Sequence, residues 1–398
     1  MQIVIQKFGG TSVANLDRIR HVANIIKAEI DAGHRVLGVV SAMAGVTNAL
    51  ITQCNQVSKL DKPDQLREYD AAIASGEIVT ASILALQLQN MGLKAKSLQG
   101  WQIPFRTDKM HGNSQVTSIN SEFLLKLLDD GVVPIITGFQ GVTENNDIST
   151  LGKGGSDTSA ALIAAALNAD RCDIYTDVEG IFTADPRIVH DAKKIDYINI
   201  DELYALCANG AKVLHPRAAL AAKRYDFQMR ILSSFTNTPG TIVQTKKDTM
   251  ENKLVTAITS NKNLLKLDIQ HKAGSFAPIL TEFAKGGIPI EQIYNLNDSR
   301  SSIIANLTDK NKCQSLLDNL QHNSMLISYE SNADISTVTI VGYALKNNSN
   351  LMKEIIEIVT DSNIEILSSH LSDITISLLI KDQNNEKLIK FLHDKIMD

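Results

Sequence analysis

Short apolar runs alternate with helical patterns along the first 245 residues. Runs rich in β-branched residues predict strands at Ile3–Ile5, Val36–Val40, Val132–Ile136 and Asp173–Tyr175. Between the first two runs, apolar residues recur at helical spacing from Leu16 to Ile30, and Asn15 or Asp17 is placed to cap that helix. This alternation predicts an α/β domain with a largely parallel sheet covered by helices on both faces.

The pattern changes after residue 245. The polar stretch Gln244–Lys253 predicts a linker. Two smaller units follow, and each reads strand, helix, strand, strand, the start of a β-α-β-β-α-β unit. The predicted elements are Leu264–Ile269, Phe276–Lys285 and Ile290–Leu296, then Val338–Val341, Leu351–Thr360, Ile364–Leu367 and Ile374–Ile380. We therefore expect domains at 1–245, 255–330 and 331–398, and leave open an exchange of strands between the last two.

Composition restricts the partners and the compartment. The chain has 398 residues, of which 44% are hydrophobic, and a net charge of -5, so it lacks the basic field that attracts nucleic acid or an anionic membrane. Its four cysteines form no C-x-x-C pair, which is typical of free thiols in a reducing compartment. No signal-peptide pattern opens the chain, and the apolar run Ala160–Leu167 is too short to span a bilayer. We expect a cytoplasmic protein.

The first strand ends in Lys7 and a glycine pair. Ligands of open α/β sheets bind at the carboxyl ends of the strands. Gly9 and Gly10 would let backbone N–H groups approach an anion, and the helix that follows adds the positive end of its dipole. The pattern is neither a P-loop nor G-x-G-x-x-G, and taken alone it favours a tight turn with a surface lysine over an anion site.

A second glycine-rich loop opens directly onto a helix at Thr150–Leu167. A helix cap would explain Ser156 and Asp157, but it would not explain three glycines around Lys153. A loop of backbone donors at a helix start suits a phosphate or a carboxylate. We therefore favour an anion site here.

Other polar residues follow strands or open helices. Ser41 and Thr47 come after the second predicted strand. Glu77 lies near the start of an apolar helix, where it is either a partner of the helix dipole or, if it faces the same cleft, a partner for an ammonium group. His215 stands beside Pro216 and is interpreted as structural.

A further cluster suits a nucleotide. Thr176 and Asp177 end a strand and lead into a turn that contains Arg187. Lys212 lies in a later segment, "NGAKVLHPRAA".

Taken together in this order, the segments resemble aspartate kinases of the amino acid kinase family. The matching stretches are "KFGGTSVAN", "VVSAMAGVTNAL", "SGE", "HGN", "GFQGVTENNDISTLGKGGSDTSA", "YTDVEGIFTADPRIV" and "GAKVLHPRA". The C-terminal part resembles the paired ACT domains of that family. The resemblance implies a three-layer αβα amino acid kinase fold followed by two ferredoxin-like βαββαβ ACT domains.

The resemblance also implies a reaction. The family transfers the γ-phosphoryl group of ATP to the β-carboxylate of L-aspartate, giving 4-phospho-L-aspartate for lysine, diaminopimelate, threonine and methionine synthesis. A carboxylate with a reference pKa of about 3.9 is already ionised at neutral pH and needs no general base. Mg²⁺ would arrive with ATP, because the chain shows no dedicated metal site.

Residue roles follow from the matching motifs. By resemblance, Lys7 stabilises the γ-phosphoryl group, Asp157 positions Lys7 or its partners in the site, and the N–H groups of Phe8 to Gly10 hold phosphate. The implied nucleotide contacts are Lys7, Phe8, Gly9, Gly10, Ser41, Ser156, Thr176, Asp177, Ile181, Arg187 and Lys212. The implied contacts of the amino acid are Thr47, Glu77, Lys153, Gly154, Gly155 and Ser156, with Glu77 pairing the ammonium group.

Two departures from the family pattern stand out. Lys153 occupies a place where many members have an arginine that clamps a substrate carboxylate. The stretch "DIQHKAGSF" lacks the proline of the turn that usually follows the first ACT strand. Lysine or threonine as an effector is therefore left open, whereas a homodimer or higher homo-oligomer through the ACT domains is expected.

Two alternative functions remain. Kinases with a glutamate, N-acetylglutamate or UMP acceptor share the sheet, but Glu77, the segment His111–Asn113 and the ACT-like units favour aspartate. The chain could instead be a regulatory subunit that binds amino acids. Lys7, the glycine pair and Asp157 argue for an active enzyme.

Overall fold

The computed structural model describes residues 1–60, 62–245 and 254–397, which form two compact units. The first unit comprises Met1–Phe182, Lys193–Ala208 and the chain from Lys212 to residue 245. The second comprises Thr183–Ala192, Asn209–Ala211 and the chain from residue 254 onward. Residues 246–253, most of the predicted linker, lie outside the described residues.

The first unit alternates strands and helices. In chain order its elements are β1 (Ile3–Phe8), α1 (Leu16–Asp31), β2 (Arg35–Val40), α2 (Val46–Val57), α3 (Pro63–Ile73), α4 (Ser75–Asn90), β3 (Ala95–Leu98), β4 (Arg106–Thr107), β5 (Val116–Ser118), α5 (Ser121–Asp129), β6 (Val133–Thr137), β7 (Gln140–Val142), β8 (Ile148–Thr150), α6 (Gly155–Ala166), β9 (Arg171–Thr176), β10 (Ile181–Phe182), β11 (Lys194–Ile195), β12 (Tyr197–Asn199), α7 (Ile200–Ala208), α8 (Pro216–Tyr225), β13 (Gln228–Ser233) and β14 (Thr241–Gln244).

An eight-stranded sheet forms the centre of this unit, in the order β12-β14-β13-β9-β1-β2-β6-β3. Neighbouring strands are parallel except β13 and β14. The four strands expected from the sequence lie in β1, β2, β6 and β9, and the largely parallel sheet is confirmed. Because β1 lies between β2 and β9, Lys7 reaches the carboxyl edge in the middle of the sheet.

Helices cover both faces of the sheet. On one face, α1 and α4 pack with Phe8 and Tyr175 into a buried apolar core. On the other face lies α6, of which Ala160, Ala161, Ile163 and Ala164 are buried. Asn15 caps α1 by accepting from the Arg18 N–H at 3.0 Å, but Leu16 is 53% exposed and does not belong to the buried stripe. The three-layer αβα arrangement is thus confirmed.

A small four-stranded sheet, in the order β5-β4-β7-β8, was not predicted. Its strands are two or three residues long, which is too short to show an alternation of apolar and polar residues. The turn 110–113 lies between β4 and β5, and β8 leads into the glycine loop before α6. This sheet therefore carries two of the predicted motifs.

The second unit is built mainly from antiparallel strands. Its elements are β15 (Val255–Asn261), β16 (Leu264–His271), α9 (Phe276–Lys285), β17 (Ile290–Asn297), β18 (Arg300–Asn306), α10 (Lys310–His322), β19 (Leu326–Asn332), β20 (Ile335–Gly342), α11 (Ser349–Ser362), β21 (Ile366–Leu371), β22 (Thr375–Lys381) and α12 (Asn385–Ile396). They form two four-stranded sheets, β17-β18-β16-β19 and β15-β20-β22-β21. The stretch from β16 to β19 is a complete ferredoxin-like βαββαβ unit.

The contiguous boundaries expected from the sequence differ from these units. Strand β15, which was assigned to the range 255–330, pairs with β20 and so completes the sheet of the later unit. The segment Thr183–Ala192, which was assigned to the range 1–245, belongs to the second unit. The Ile258 N–H donates to the Thr183 carbonyl oxygen at 2.8 Å, and Ala184 is buried in the core around Val338.

Candidate active site

Lys7 and Asp157 form a buried ion pair at the carboxyl edge of the large sheet. The Lys7 Nζ lies 2.5 Å from Asp157 Oδ1, and both side chains are mostly buried. Asp157 lies in the first turn of α6, and its Oδ2 accepts from the His215 backbone N–H at 3.1 Å. The carboxylate therefore holds the end of the lysine side chain in one place.

His215 has a structural role in this arrangement. Its Nδ1 accepts from the Arg217 N–H at 3.3 Å and so caps α8. Burial lowers the pKa of the imidazole, which keeps it neutral at pH 7. The interpretation as a structural histidine fits these contacts.

Each of the two glycine-rich loops has a position where a neighbouring residue approaches so closely that glycine is required. A Cβ on Gly10 would lie 2.9 Å from the Ala42 carbonyl oxygen. Gly154, which precedes α6 with φ +71°, would place a Cβ 2.4 Å from the His215 ring. Neither position has room for a side chain.

The expected phosphate contacts of Phe8 to Gly10 need one correction. The Gly9 N–H donates to the Tyr175 carbonyl oxygen at 3.2 Å, so this amide is already paired. Phe8 is a fully buried strand residue whose ring stacks on Tyr175. In the described part of the chain no acceptor pairs with the Gly10 N–H, which leaves this amide for an anion.

Both glycine loops open into one cavity of about 520 Å³. Its wall includes the predicted residues Gly10, Ser41, Thr47, Glu77, Lys153, Gly154, Gly155 and Ser156. The Ser41 and Ser156 hydroxyl oxygens lie 2.9 Å apart and link the end of β2 to the start of α6. The structure thus brings the two separate sequence motifs into a single site.

Glu77 gives the cavity a buried acid. Its side chain is in the first turn of α4 and only 3% exposed. Oε1 accepts from the Ala42 N–H at 3.0 Å, whereas Oε2 has no hydrogen-bond partner among the described residues. Burial raises the pKa of this carboxyl to about 7. A buried carboxylate oxygen without a donor is suited to a cationic group of a ligand.

Apart from Gly10, Ser41 and Ser156, which line the cavity, the predicted nucleotide residues lie elsewhere. Thr176 ends β9, beside β1, and donates to Asp177 at 3.1 Å. Ile181 is buried in β10, and Lys212 is exposed. None of these residues lines the 520 Å³ cavity. Arg187 belongs to the second unit, where its guanidinium contacts Asp185.

Known proteins are similar to this chain over nearly its whole length. The model of the amino acid kinase family matches residues 2–233, and an ACT domain model matches residues 330–394. The chain is 50% identical to the aspartokinase of Rickettsia felis over 396 residues, which is 99% of both chains. The chain belongs to the aspartokinase family. It is therefore an aspartate kinase, which transfers a phosphoryl group from ATP to L-aspartate.

More distant aspartokinases are also similar to this chain along its whole length, at lower identity. The Geobacillus stearothermophilus aspartokinase is 38% identical over 401 residues, covering 99% of this chain and 97% of that protein. The structure of E. coli aspartokinase III in complex with aspartate and ADP superposes with a TM-score of 0.86 at 26% identity, with 100% of both chains covered. The predicted aspartokinase fold with its ACT domains is thus confirmed.

Among the described residues, one stretch is a weak candidate for a membrane-spanning helix. Within residues 1–60, 62–245 and 254–397, the stretch Pro63–Asn90 is long and apolar enough to cross a bilayer. It consists of α3 and α4, and half of its most apolar window is buried. Leu84 and Leu88 of this stretch are core residues of the first unit, as is typical of a core helix.

Two further residues support the segments around the aspartokinase cavity, and one of them, Asp70, was not predicted from the sequence. Arg217 donates to the Leu151 carbonyl oxygen at 2.8 Å and to the Ser114 carbonyl oxygen at 3.1 Å. Asp70 is fully buried in α3, on the same face as Ile73. An acidic residue on an apolar helix face was the signal available for Asp70, whereas Arg217 belongs to the segment "NGAKVLHPRAA" that the sequence had already singled out.

Proposed function

We propose that the cavity holds L-aspartate beside the γ-phosphoryl group of ATP, with Lys7 directed at the transferring group. The observation that carries this proposal is the pairing of Lys7 with Asp157, one residue from Ser156 in the cavity wall. At the amino acid end of the cavity, Glu77 pairs the ammonium group of aspartate. Thr47 and the loop Lys153–Ser156 contact the remainder of the amino acid.

Phosphoryl transfer requires that the two substrates be held in line and that the negative charge of the transition state be stabilised. The β-carboxylate of aspartate attacks the γ-phosphorus, the bond to the β,γ-bridging oxygen of ATP breaks, and ADP leaves. The nucleophile is already ionised, so no base accepts a proton. Lys7, Lys153 and the amino terminus of α6 stabilise the charge that spreads over the phosphoryl oxygens in the transition state.

We propose that the nucleotide lies along the carboxyl ends of β1, β2 and β9. The Gly10 N–H and the Ser41–Ser156 pair contact phosphate, while Thr176, Asp177, Ile181 and Lys212 contact the remainder of the nucleotide. The role of Arg187, in the second unit, stays a prediction. Mg²⁺ arrives bound to the phosphates of ATP, since Asp157, the carboxylate beside Lys7, is already paired.

An acceptor panel tests this assignment. We expect acyl phosphate, trapped as the hydroxamate, to form from L-aspartate at least about tenfold more efficiently than from L-glutamate, because one extra methylene displaces the carboxylate. In a coupled assay of ADP release, which detects every acceptor, N-acetylglutamate and UMP should give no turnover, since neither presents an ammonium group to Glu77. Equal kcat/KM values for aspartate and glutamate would overturn the substrate assignment.

A second expectation concerns Lys153. A lysine is a single flexible charge, whereas an arginine holds a carboxylate through two parallel hydrogen bonds. Lys153→Arg should lower the KM for aspartate by about threefold to tenfold and change the KM for ATP little, as one additional hydrogen bond contributes a net of about 1 kcal/mol. Steady-state kinetics with each substrate varied in turn measures both values. An unchanged KM for aspartate would contradict the hypothesis that Lys153 binds aspartate less tightly than an arginine would.

The second unit supports assembly and regulation. We propose a homodimer or higher homo-oligomer through the ACT-like sheets, because the edge strands β19 and β21 expose apolar residues such as Ile327 and Leu367. E. coli aspartokinase III also has a structure in complex with lysine and aspartate, so lysine is the first effector to test here, followed by threonine. Light scattering, and the hydroxamate assay with each amino acid added, check these proposals.

We also propose that the enzyme works in the cytoplasm. Its product would then enter the synthesis of lysine, diaminopimelate, threonine and methionine. Reporter fusions and growth requirements of a deletion strain measure these two points.

A further inference from the structure

Asp70 in α3 is a fully buried carboxylate that accepts hydrogen bonds from two other chain segments. The Gly112 N–H donates to both of its oxygens at 3.0 Å, and His111 Nδ1 lies 2.8 Å from Oδ2. On the other side, the Thr150 N–H donates to Oδ2 at 3.1 Å, and the Thr150 hydroxyl donates to Oδ1. One side chain thus connects α3, the 111–112 turn and the end of β8.

This arrangement depends on an acceptor without hydrogens. An ionised carboxylate accepts at every lone pair, and burying it is tolerated only when donors surround it. Burial raises the pKa of Asp70, whereas the hydrogen bonds from Thr150, Gly112 and His111 oppose that rise. The donors on both sides therefore suit the ionised acid and no neutral amide.

The segments that Asp70 connects form part of the cavity wall. Gly112 and Gly152 line the cavity, and Gly152 follows Thr150 by two residues. A Cβ on Gly152 would lie 2.7 Å from the Asn113 Oδ1, so the turn and the glycine loop pack tightly. Tyr69 and Ile73, near Asp70 on α3, line the same cavity. A shift at Asp70 would thus move the wall on two sides.

We propose that Asp70 is a positioning residue that sets the location of the glycine loop, and with it Lys153, at the amino acid end of the cavity. It touches neither substrate. It acts through Thr150 and Gly112, and its effect is on the affinity for the amino acid more than on turnover. This inference rests on the proposed assignment of the cavity to L-aspartate.

The direct variant is Asp70→Asn. An amide has the shape of the acid but turns an NH₂ group toward donors that need an acceptor, so the turn and β8 separate. We expect the KM for aspartate to rise by about tenfold to a hundredfold, since the displaced Lys153 would lose its charge-assisted contact with the amino acid. The KM for ATP should change by less than about threefold. Asp64→Asn, at an exposed acid of the same helix, is the matched control and should behave as wild type.

A second pair of variants keeps the proposal testable if Asp70→Asn does not fold. Thr150→Val retains the shape of the buried side chain and removes only the hydroxyl donor to Asp70. Thr150→Ser retains the donor. We expect the aspartate KM to rise in the valine variant and to return to within about twofold of wild type in the serine variant. Circular dichroism and thermal unfolding confirm that both are folded.

Three results would overturn the inference. Unchanged aspartate KM values in Asp70→Asn and Thr150→Val would do so. Equal rises in the KM for aspartate and ATP would indicate general loosening, as would a fall in kcat that matches a loss of folded protein. A variant of Glu77 separates this failure from that of the proposed function: if Glu77→Gln leaves the aspartate KM unchanged, the cavity assignment itself is wrong. If only Glu77→Gln raises it, the assignment stands and the role of Asp70 falls.

Discussion

Replacing Lys7 by methionine is expected to lower kcat by about three orders of magnitude, the effect of removing a group that stabilises transition-state charge. Methionine retains the length of the side chain and loses only the ammonium group. Because Lys7 Nζ is held 2.5 Å from Asp157 at the carboxyl end of the central strand, no other residue of β1 can bring a charge to this point. The KM for aspartate should change little, since Glu77 and Lys153 still bind it. Single-turnover assays at saturating ATP measure the chemical step.

The variant also leaves a mostly buried Asp157 without its cation, which costs stability. A buried pair that loses one partner destabilises a protein by up to about 3–5 kcal/mol, and the remaining hydrogen bond from the His215 N–H reduces that figure here. The double variant Lys7→Met, Asp157→Asn removes both charges, so it should recover stability and remain inactive. Lys94→Met, at an exposed lysine of the same unit, is the control. Turnover of Lys7→Met within tenfold of the control would falsify the assignment of Lys7.

The sequence predicted the centre of the fold and less of its periphery. Strands buried on both faces read as continuous runs of β-branched residues, which is why β1, β2, β6 and β9 were found. Strands β4, β5, β7 and β8 are too short for any periodicity. Strand β15 was not among the predicted elements, and an exchange of strands between the two ACT-like units was left open, because local sequence does not identify the strand with which another strand pairs.

In the candidate site, too, local sequence motifs were predictable and contacts between distant residues were not. Lys153 within its glycine loop was predicted as an anion site, whereas Lys7 with its glycine pair, taken alone, favoured a tight turn. The structure brings both glycine loops to one cavity. Hydrogen bonds between distant backbone groups were not predictable. The Gly9 N–H is occupied by Tyr175, 166 residues away in sequence, and Asp70 accepts from Thr150, 80 residues away. Such contacts depend on the tertiary structure and leave no local pattern.

Replacing Glu77 by glutamine is expected to raise the KM for aspartate by about a hundredfold at pH 8. Loss of one partner from a buried, hydrogen-bonded charge pair costs about 2–5 kcal/mol. Glutamine keeps the hydrogen bond from the Ala42 N–H through its oxygen but offers no charge to an ammonium group. The KM for ATP and kcat at saturating aspartate should change by less than about threefold, because Glu77 contacts neither the nucleotide nor the reacting atoms.

Stability should move in the opposite direction, which separates weaker binding from unfolding. The folded-state pKa of Glu77 is about 7 against an ordinary value of 4.5. The folded protein therefore holds a proton between these values, and its stability falls as pH rises through this window. Above pH 7 the ionised, incompletely paired carboxylate costs roughly 3 kcal/mol. Glu77→Gln removes that cost, so its free energy of unfolding at pH 8 should exceed that of the wild type in urea titrations.

The pH dependence of aspartate binding gives the sharpest form of this prediction. Glu77 must be ionised to pair an ammonium group, and burial raises its pKa to about 7 in the free enzyme. Below that value the wild-type protein has to release a proton before aspartate binds, so kcat/KM for aspartate should fall about tenfold per pH unit. The carboxyls of free aspartate are ionised throughout pH 6–8 and do not contribute. In Glu77→Gln this limb should be absent, leaving a low and flat profile. A variant that retains the wild-type slope would show that another group controls aspartate binding.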